Sequence, residues 1–182
     1  MNLRESDEWL MGQVRRGKRD ALEKLVRRFA SPLLTFIERM VGDRHRSEEL
    51  FQEVFLRVWT RRKQYKLDRS FRAWLYAIAA NRCRDEFRKR STHEVTAPEI
   101  ETTPTDDPSA TQTAIATETA TIVFTAVTLL PPQQRTIVVL RTWNGLSFGE
   151  IAEIVGTAES TVRSNMHRGL ASMRRYLEPR VK

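Results

Sequence analysis

A chain of 182 residues has room for one ordinary domain or two small ones, and a composition 40% hydrophobic and 30% charged is that of a globular protein. Its formal net charge of +8 points to a polyanionic partner. The single cysteine, Cys83, excludes an intramolecular disulfide. His45, His93 and His167 show no ligand spacing, so neither a metal nor a cofactor is expected.

The N-terminal stretch MNLRESDEWLMGQVRRG has no continuous apolar run, and no segment approaches the roughly 20 apolar residues of a membrane span. The expectation is a cytoplasmic protein with no membrane insertion. Cys83 then reads as a packed small apolar residue.

Helical periodicity dominates residues 1–91, where Lys and Arg exceed Asp and Glu by 10. Leu22, Leu25, Val26 and Phe29 recur at helical spacing, as do Leu33, Phe36, Ile37 and Met40. In SEELFQEVFLRVW, Leu50, Phe51, Val54, Phe55, Val58 and Trp59 form a wide apolar stripe, with Ser47 as expected N-cap. The opposite face carries Glu49, Gln52, Glu53 and Leu56, which spacing alone reads as a solvated surface and charge pattern as a protein-docking one. A further helix, FRAWLYAIAANRCRDEFRKR, buries Phe71, Trp74, Leu75 and Ile78. Three or four such helices make a compact bundle.

The segment WTRRKQYKLDRSFRAW mixes cations with aromatics, a combination that holds a single strand by its backbone while rings stack on bases. The loop Lys63 to Ser70, with Lys63, Tyr65, Lys66 and Arg69, is the candidate pocket for a flipped base, and Asn81 can both donate to and accept from one.

Residues 92–120 contain no Lys or Arg and 6 acids, among many Thr, Pro and Ala, and read as a flexible acidic linker whose last residues can join the next helix. Residues 121–182 return to a net charge of +4. A helix over 119–129 is broken by Pro131 and Pro132, and a second runs from Gln133 to Thr142. Ser147 and Glu150 then fit a capping box for a short helix from Phe148 to Val155, and Gly156 suits a left-handed helix end. Thr157 is placed to cap a last helix reaching about Tyr176. Val162, Met166, Leu170 and Met173 would face inward, leaving Ser160, Arg163, Ser164, Asn165, His167 and Arg168 for DNA. This is a helix-turn-helix pattern, the second helix suited to the major groove.

These residues, in this order, resemble the extracytoplasmic-function (ECF) sigma factors, a branch of the sigma-70 family of bacterial RNA polymerase. The likeness rests on SEELFQEVFLRVW, SFRAWLYAIAANRCRDEFRKR, an acidic linker, and LLPPQQRTIVVLRTWNGLSFGEIAEIVGTAESTVRSNMHRGLASMRRYL. It implies an all-α chain of two small helical domains, sigma region 2 over 1–91 and region 4 over 121–182, tethered by 92–120. Region 2 of the family binds the clamp coiled coil of the largest polymerase subunit, which moves Glu49, Gln52, Glu53 and Leu56 from solvated to docking. It also recognises and opens the promoter −10 element, a role falling here on the loop Lys63 to Ser70 and on Asn81. Region 4 reads the −35 element, here through Arg163, Ser164, His167 and Arg168. The family further implies an anti-sigma partner and no enzymatic activity.

Two departures stand out. Gly169 replaces a frequent Ala, lowering helix propensity by about 1 kcal/mol, and His167 replaces a larger residue. An autonomous helix-turn-helix regulator is the rival reading, although neither a sensor nor a dimerisation helix is visible. A metal-dependent nuclease would need carboxylate partners that Glu48, Glu49 and Glu53 lack.

Overall fold

The computed structural model describes residues 6–93 and 110–180, and helices make up its regular structure with no strand among those residues. Most of the stretch read as a linker lies outside the described residues. α1 spans Asp7–Arg15, α2 Arg19–Val41, α3 Arg44–Thr60 and α4 Phe71–His93. After the undescribed stretch come α5 (Ala110–Thr128), α6 (Pro132–Thr142), α7 (Phe148–Val155) and α8 (Glu159–Leu177).

α1 was not anticipated from apolar periodicity. It is nine residues long and begins where the Ser6 side chain accepts from the Trp9 N–H at 3.1 Å, burying Leu10, Met11 and Val14. α2 absorbs both apolar repeats read from the sequence. Pro32 lies inside it and removes one ladder bond without ending the helix. Gly42, at φ 77°, closes α2 in the left-handed conformation that favours glycine.

The N-cap of α3 is Asp43, whose side chain accepts from the Arg46 N–H at 2.8 Å, and not Ser47. Ser47 sits one turn further on, fully buried, donating its hydroxyl to the Asp43 carbonyl at 2.5 Å. The earlier carboxylate outcompetes the serine because it reaches the free N–H groups of the true first turn.

The two halves share one continuous apolar core, and α7 packs on α4 while α6 packs on α2. Polar bonds cross the junction. The buried Asn144 side chain donates to the Tyr76 hydroxyl at 2.7 Å, and Arg72 donates to the Asn144 carbonyl. The buried Arg135 guanidinium donates to the carbonyls of Met40, Thr128 and Leu130 and lies 4.9 Å from the centre of the Phe87 ring. It thereby satisfies carbonyls at the C-terminal ends of α2 and α5, and one just beyond α5, that helix geometry leaves without partners. Cys83 is buried in this core, and burial pushes its thiol up to about 12 from an ordinary 9.0, so it is unreactive at neutral pH.

Candidate nucleic-acid interface

The start of α7 and the turn that follows it form as the spacing requires. The Ser147 hydroxyl accepts from the Glu150 N–H at 3.2 Å, and the Glu150 carboxylate accepts from the Ser147 N–H at 2.8 Å, a complete capping box. The Ser147 backbone N–H, and its hydroxyl after it, hold the Glu150 carboxyl below its usual value. Gly156 takes φ 70° at the turn. The cap of α8 differs from expectation. Ala158 holds the N-cap position with no side-chain bond, because α8 starts one residue later than Thr157 could serve.

On α8, Val162, Asn165, Gly169 and Met173 face inward, while Ser160, Arg163, Ser164, His167 and Arg168 are exposed. Asn165 is therefore a correction to the DNA-facing set. It is only 6% exposed, and its Nδ2 donates to the Thr161 carbonyl at 3.0 Å. It sits three residues after Val162 and four before Gly169, which places it on the inner stripe. Its Oδ1 accepts from Arg168 Nη2 at 3.3 Å, so it steadies a neighbour that does face outward.

Leu170 is the second correction on this helix, because it is 46% exposed while Gly169 occupies the inward position. A Cβ on Gly169 would lie 2.8 Å from Val138 Cγ2 on α6. The glycine that weakens helix propensity is thus what lets α8 approach α6 closely. Arg163 is held on the outer face by Glu159, with Nε to Oε1 at 3.1 Å, and by the Phe148 ring, 4.4 Å from its guanidinium carbon. An arginine so fixed loses less side-chain entropy when it meets an anion.

The second basic surface lies at the start of α4. Lys63, Lys66 and Arg69 are exposed, and so is Asn81, whose Oδ1 accepts from Arg84 at 2.8 Å while its amide N–H groups stay available. Tyr65 is the correction here. It is 1% exposed, donates its hydroxyl to the Arg69 carbonyl, and packs against Phe71 and Trp74 with ring centres 6.2 and 5.2 Å away. A ring so enclosed cannot stack on a base. It pins the loop that carries the cations instead, and burial, then the nearby Glu8, pushes its hydroxyl up to about 12.

On α3, Gln52 is exposed and Leu56 is 61% exposed, a large apolar side chain on a polar face. The two acids beside them are engaged. Glu49 pairs with Arg46 and lies 3.6 Å from His45 Nδ1; Glu53 pairs with Arg82 of α4 and, at 3.4 Å, with Arg46. Arg46 also donates to Glu86 of α4 at 2.8 Å, and that bond leads in raising its pKa. These acids therefore join α3 to α4 as well as colouring the surface. Among the described residues no group of His, Cys, Asp and Glu could hold a metal ion, and no helix is long and apolar enough to cross a membrane.

Residues 25–93 match the family profile Sigma-70 region 2, and residues 121–173 match Sigma-70, region 4. The chain belongs to the sigma-70 family, as a factor of the ECF type. It is 28% identical over 174 residues to the ECF RNA polymerase sigma factor SigW of Bacillus subtilis, covering 91% of this chain and 93% of that one. It is 33% identical over 174 residues to the RNA polymerase sigma factor CarQ of Myxococcus xanthus, covering 92% and 95%. Its fold is also that of CnrH solved in complex with the cytosolic domain of CnrY, with a TM-score of 0.75 at 24% identity over 96% of this chain and 98% of that one. As a sigma factor it directs the initiation of transcription, and an autonomous regulator would leave the match over 25–93 unexplained.

Proposed function

We propose that this ECF sigma factor docks on core RNA polymerase through Gln52 and Leu56 of α3, with Glu49 and Glu53 at the margin. In this reading it reads −35 duplex DNA through Ser160, Arg163, Ser164, His167 and Arg168 and opens the −10 element with Lys63, Lys66, Arg69 and Asn81. It does so in the cytoplasm and without catalytic activity of its own. The observation that carries the −35 part is the outward row on α8, with Arg163 fixed by Glu159 and Phe148. A helix presenting Arg, Ser and His from a buried seat fits the major groove. The −10 part is supported by exposed cations on a loop anchored from below by Tyr65.

Opening needs no nucleotide hydrolysis in this scheme, since captured bases offset unstacking. Polymerase fixes the separation of the two readers, so the second contact becomes intramolecular and gains avidity. An anti-sigma protein is a further expected partner. The sigma factor RpoE of Bartonella quintana, of like fold with a TM-score of 0.69 at 20% identity, was crystallised with the anti-sigma factor NepR.

Run-off transcription with purified core polymerase and a genomic fragment library tests the whole. The wild-type chain should select start sites sharing two spaced motifs. Leu56→Asp should abolish comigration with core on a sizing column while leaving the helical content intact. No start-site selection by the wild-type protein would refute the assignment.

A further inference from the structure

α1 lies outside the matched family regions, yet it builds one wall of a groove beside the −10 loop. The groove has a volume of about 620 Å³, inside the roughly 300–1,000 Å³ typical of small-ligand clefts. Its apolar surface comes from Trp9, 43% exposed, and Leu67, 56% exposed, with Gly12 between them. A Cβ at Gly12 would just touch Leu67 Cδ2 at 3.5 Å, so the loop and α1 stand in van der Waals reach there. Arg15, Arg16 and Lys63 line the rim, and none of them makes an ion pair with the described residues. Among the described residues the lining holds one acid, Glu8, which is engaged elsewhere, accepting from the Phe71 N–H at the start of α4 at 3.2 Å.

We propose that the Trp9–Leu67 groove is a base-stacking site for the opened promoter strand, with Arg15, Arg16 and Lys63 holding the adjoining phosphates. The inference rests on the −10 assignment of the loop and extends it to α1. An exposed indole and an exposed aliphatic side chain lining one groove offer a sequence-tolerant stack, and cations around it select a polyanion over an uncharged or acidic occupant. The groove shares Lys63 and Leu67 with the −10 loop, so a strand held there runs into it without a gap. Glu8 couples the two, since its bond to Phe71 ties α1 to the helix that begins where the loop ends.

The test uses holoenzyme assembled from core polymerase and the full chain on a promoter found by run-off transcription. The readouts are the half-life of heparin-resistant open complexes and the permanganate reactivity of unpaired thymines. Trp9→Ala should shorten the half-life about tenfold, the loss of one base stack, with −35 duplex affinity and core binding unchanged. Trp9→Phe should keep most of the wild-type lifetime. Replacing Arg15 and Arg16 together by Gln should lower the salt slope of the lifetime by about one to two, a change that a purely packing role for α1 would not produce. A circular-dichroism melt separates misfolding from these effects, and Leu67→Ala, on the exposed loop, repeats the test with the α1 sequence unchanged.

The inference falls if Trp9→Ala and Leu67→Ala open promoters as durably as wild type. It falls equally if the only defect is lost binding of an inhibitor protein, since the groove would then be a peptide site. Wild-type holoenzyme that opens no promoter would instead remove the −10 reading itself, and this groove with it.

Discussion

On α8 the outward side chains proposed to read DNA stand on a helix, and both arginines are placed by neighbours: Arg163 by Glu159 and Phe148, Arg168 by Asn165. In the loop from Lys63 to Ser70 the cations stand outward with no such support, and rigidity comes from one buried ring beneath them, Tyr65. The difference fits the two proposed jobs. A duplex groove is a fixed shape that a pre-organised helix can match, whereas an opened strand has to be met by a surface that adapts. In both places the residue that looked like a contact was partly a support: Asn165 for the helix, Tyr65 for the loop.

The sharpest way to break this contrast is to lift α8 off its seat. Gly169→Val places new atoms where even a Cβ would lie 2.8 Å from Val138 Cγ2. Overpacking together with a β-branched residue in a helix should cost about 3 kcal/mol, seen as a lower melting temperature and lost −35 binding, with core binding through α3 retained. Gly169→Ala should cost less, since its gain of about 1 kcal/mol in helix propensity offsets part of the clash. A Val variant as stable as wild type would show that α6 yields and that the close approach is incidental.

Next in size is Arg163→Ala, which should weaken −35 duplex binding by about 1–3 kcal/mol, measured by fluorescence anisotropy of holoenzyme on a −35 duplex. Arg163→Lys should not restore it, because an ammonium neither stacks on Phe148 as a plane nor donates as a fork. An equal loss on duplexes of every sequence would make Arg163 a phosphate contact and not a base reader.

The fold was legible where periodicity decides. The apolar stripes of α2 and α3, the capping box of α7 and the glycine at position 156 form as read, and α4 buries Phe71, Leu75 and Ile78 while Trp74 stays half-buried. What the sequence left illegible has local causes. α1 is short, with few apolar positions to repeat, although Ser6 followed by Asp7 and Glu8 is a helix-start signal. Asn165 and Tyr65 were misplaced because polarity and basic surroundings outweighed their spacing, which in Asn165 falls on the buried stripe. Arg135 and Asn144, buried where the halves meet, carry no local signal, since their partners lie up to 112 residues away.

A smaller effect probes the loop. Tyr65→Phe removes the hydroxyl bond to the Arg69 carbonyl and should cost about 1 kcal/mol, with a matching fall in open-complex lifetime as the cations loosen. The same hydroxyl has a pH signature. Its folded value of about 12 lies above the ordinary 10.0, so the folded state binds the proton more tightly. That stability is complete below pH 10 and is lost as pH rises toward 12. Tyr76, also pushed up to about 12, and Cys83 act in the same direction. Melting temperatures between pH 8 and 12 should therefore fall less steeply in Tyr65→Phe than in wild type.

The smallest expected effect tests the helix side of the comparison at the start of α7, the helix that precedes α8. Glu150 has a depressed pKa, so its charged form stabilises the fold above the ordinary carboxylate range, and that contribution is lost as pH falls through its folded value. Glu150→Gln keeps a side chain able to accept from the Ser147 N–H but removes the charge at the first turn of α7. The cost at neutral pH should be about 0.3–1 kcal/mol. The variant should lose less stability than wild type on acidification below pH 5, and the two melting curves should converge. If they stay parallel, the carboxylate matters only as a hydrogen-bond acceptor, and α7 is held by the packing of Ile151 and Ile154.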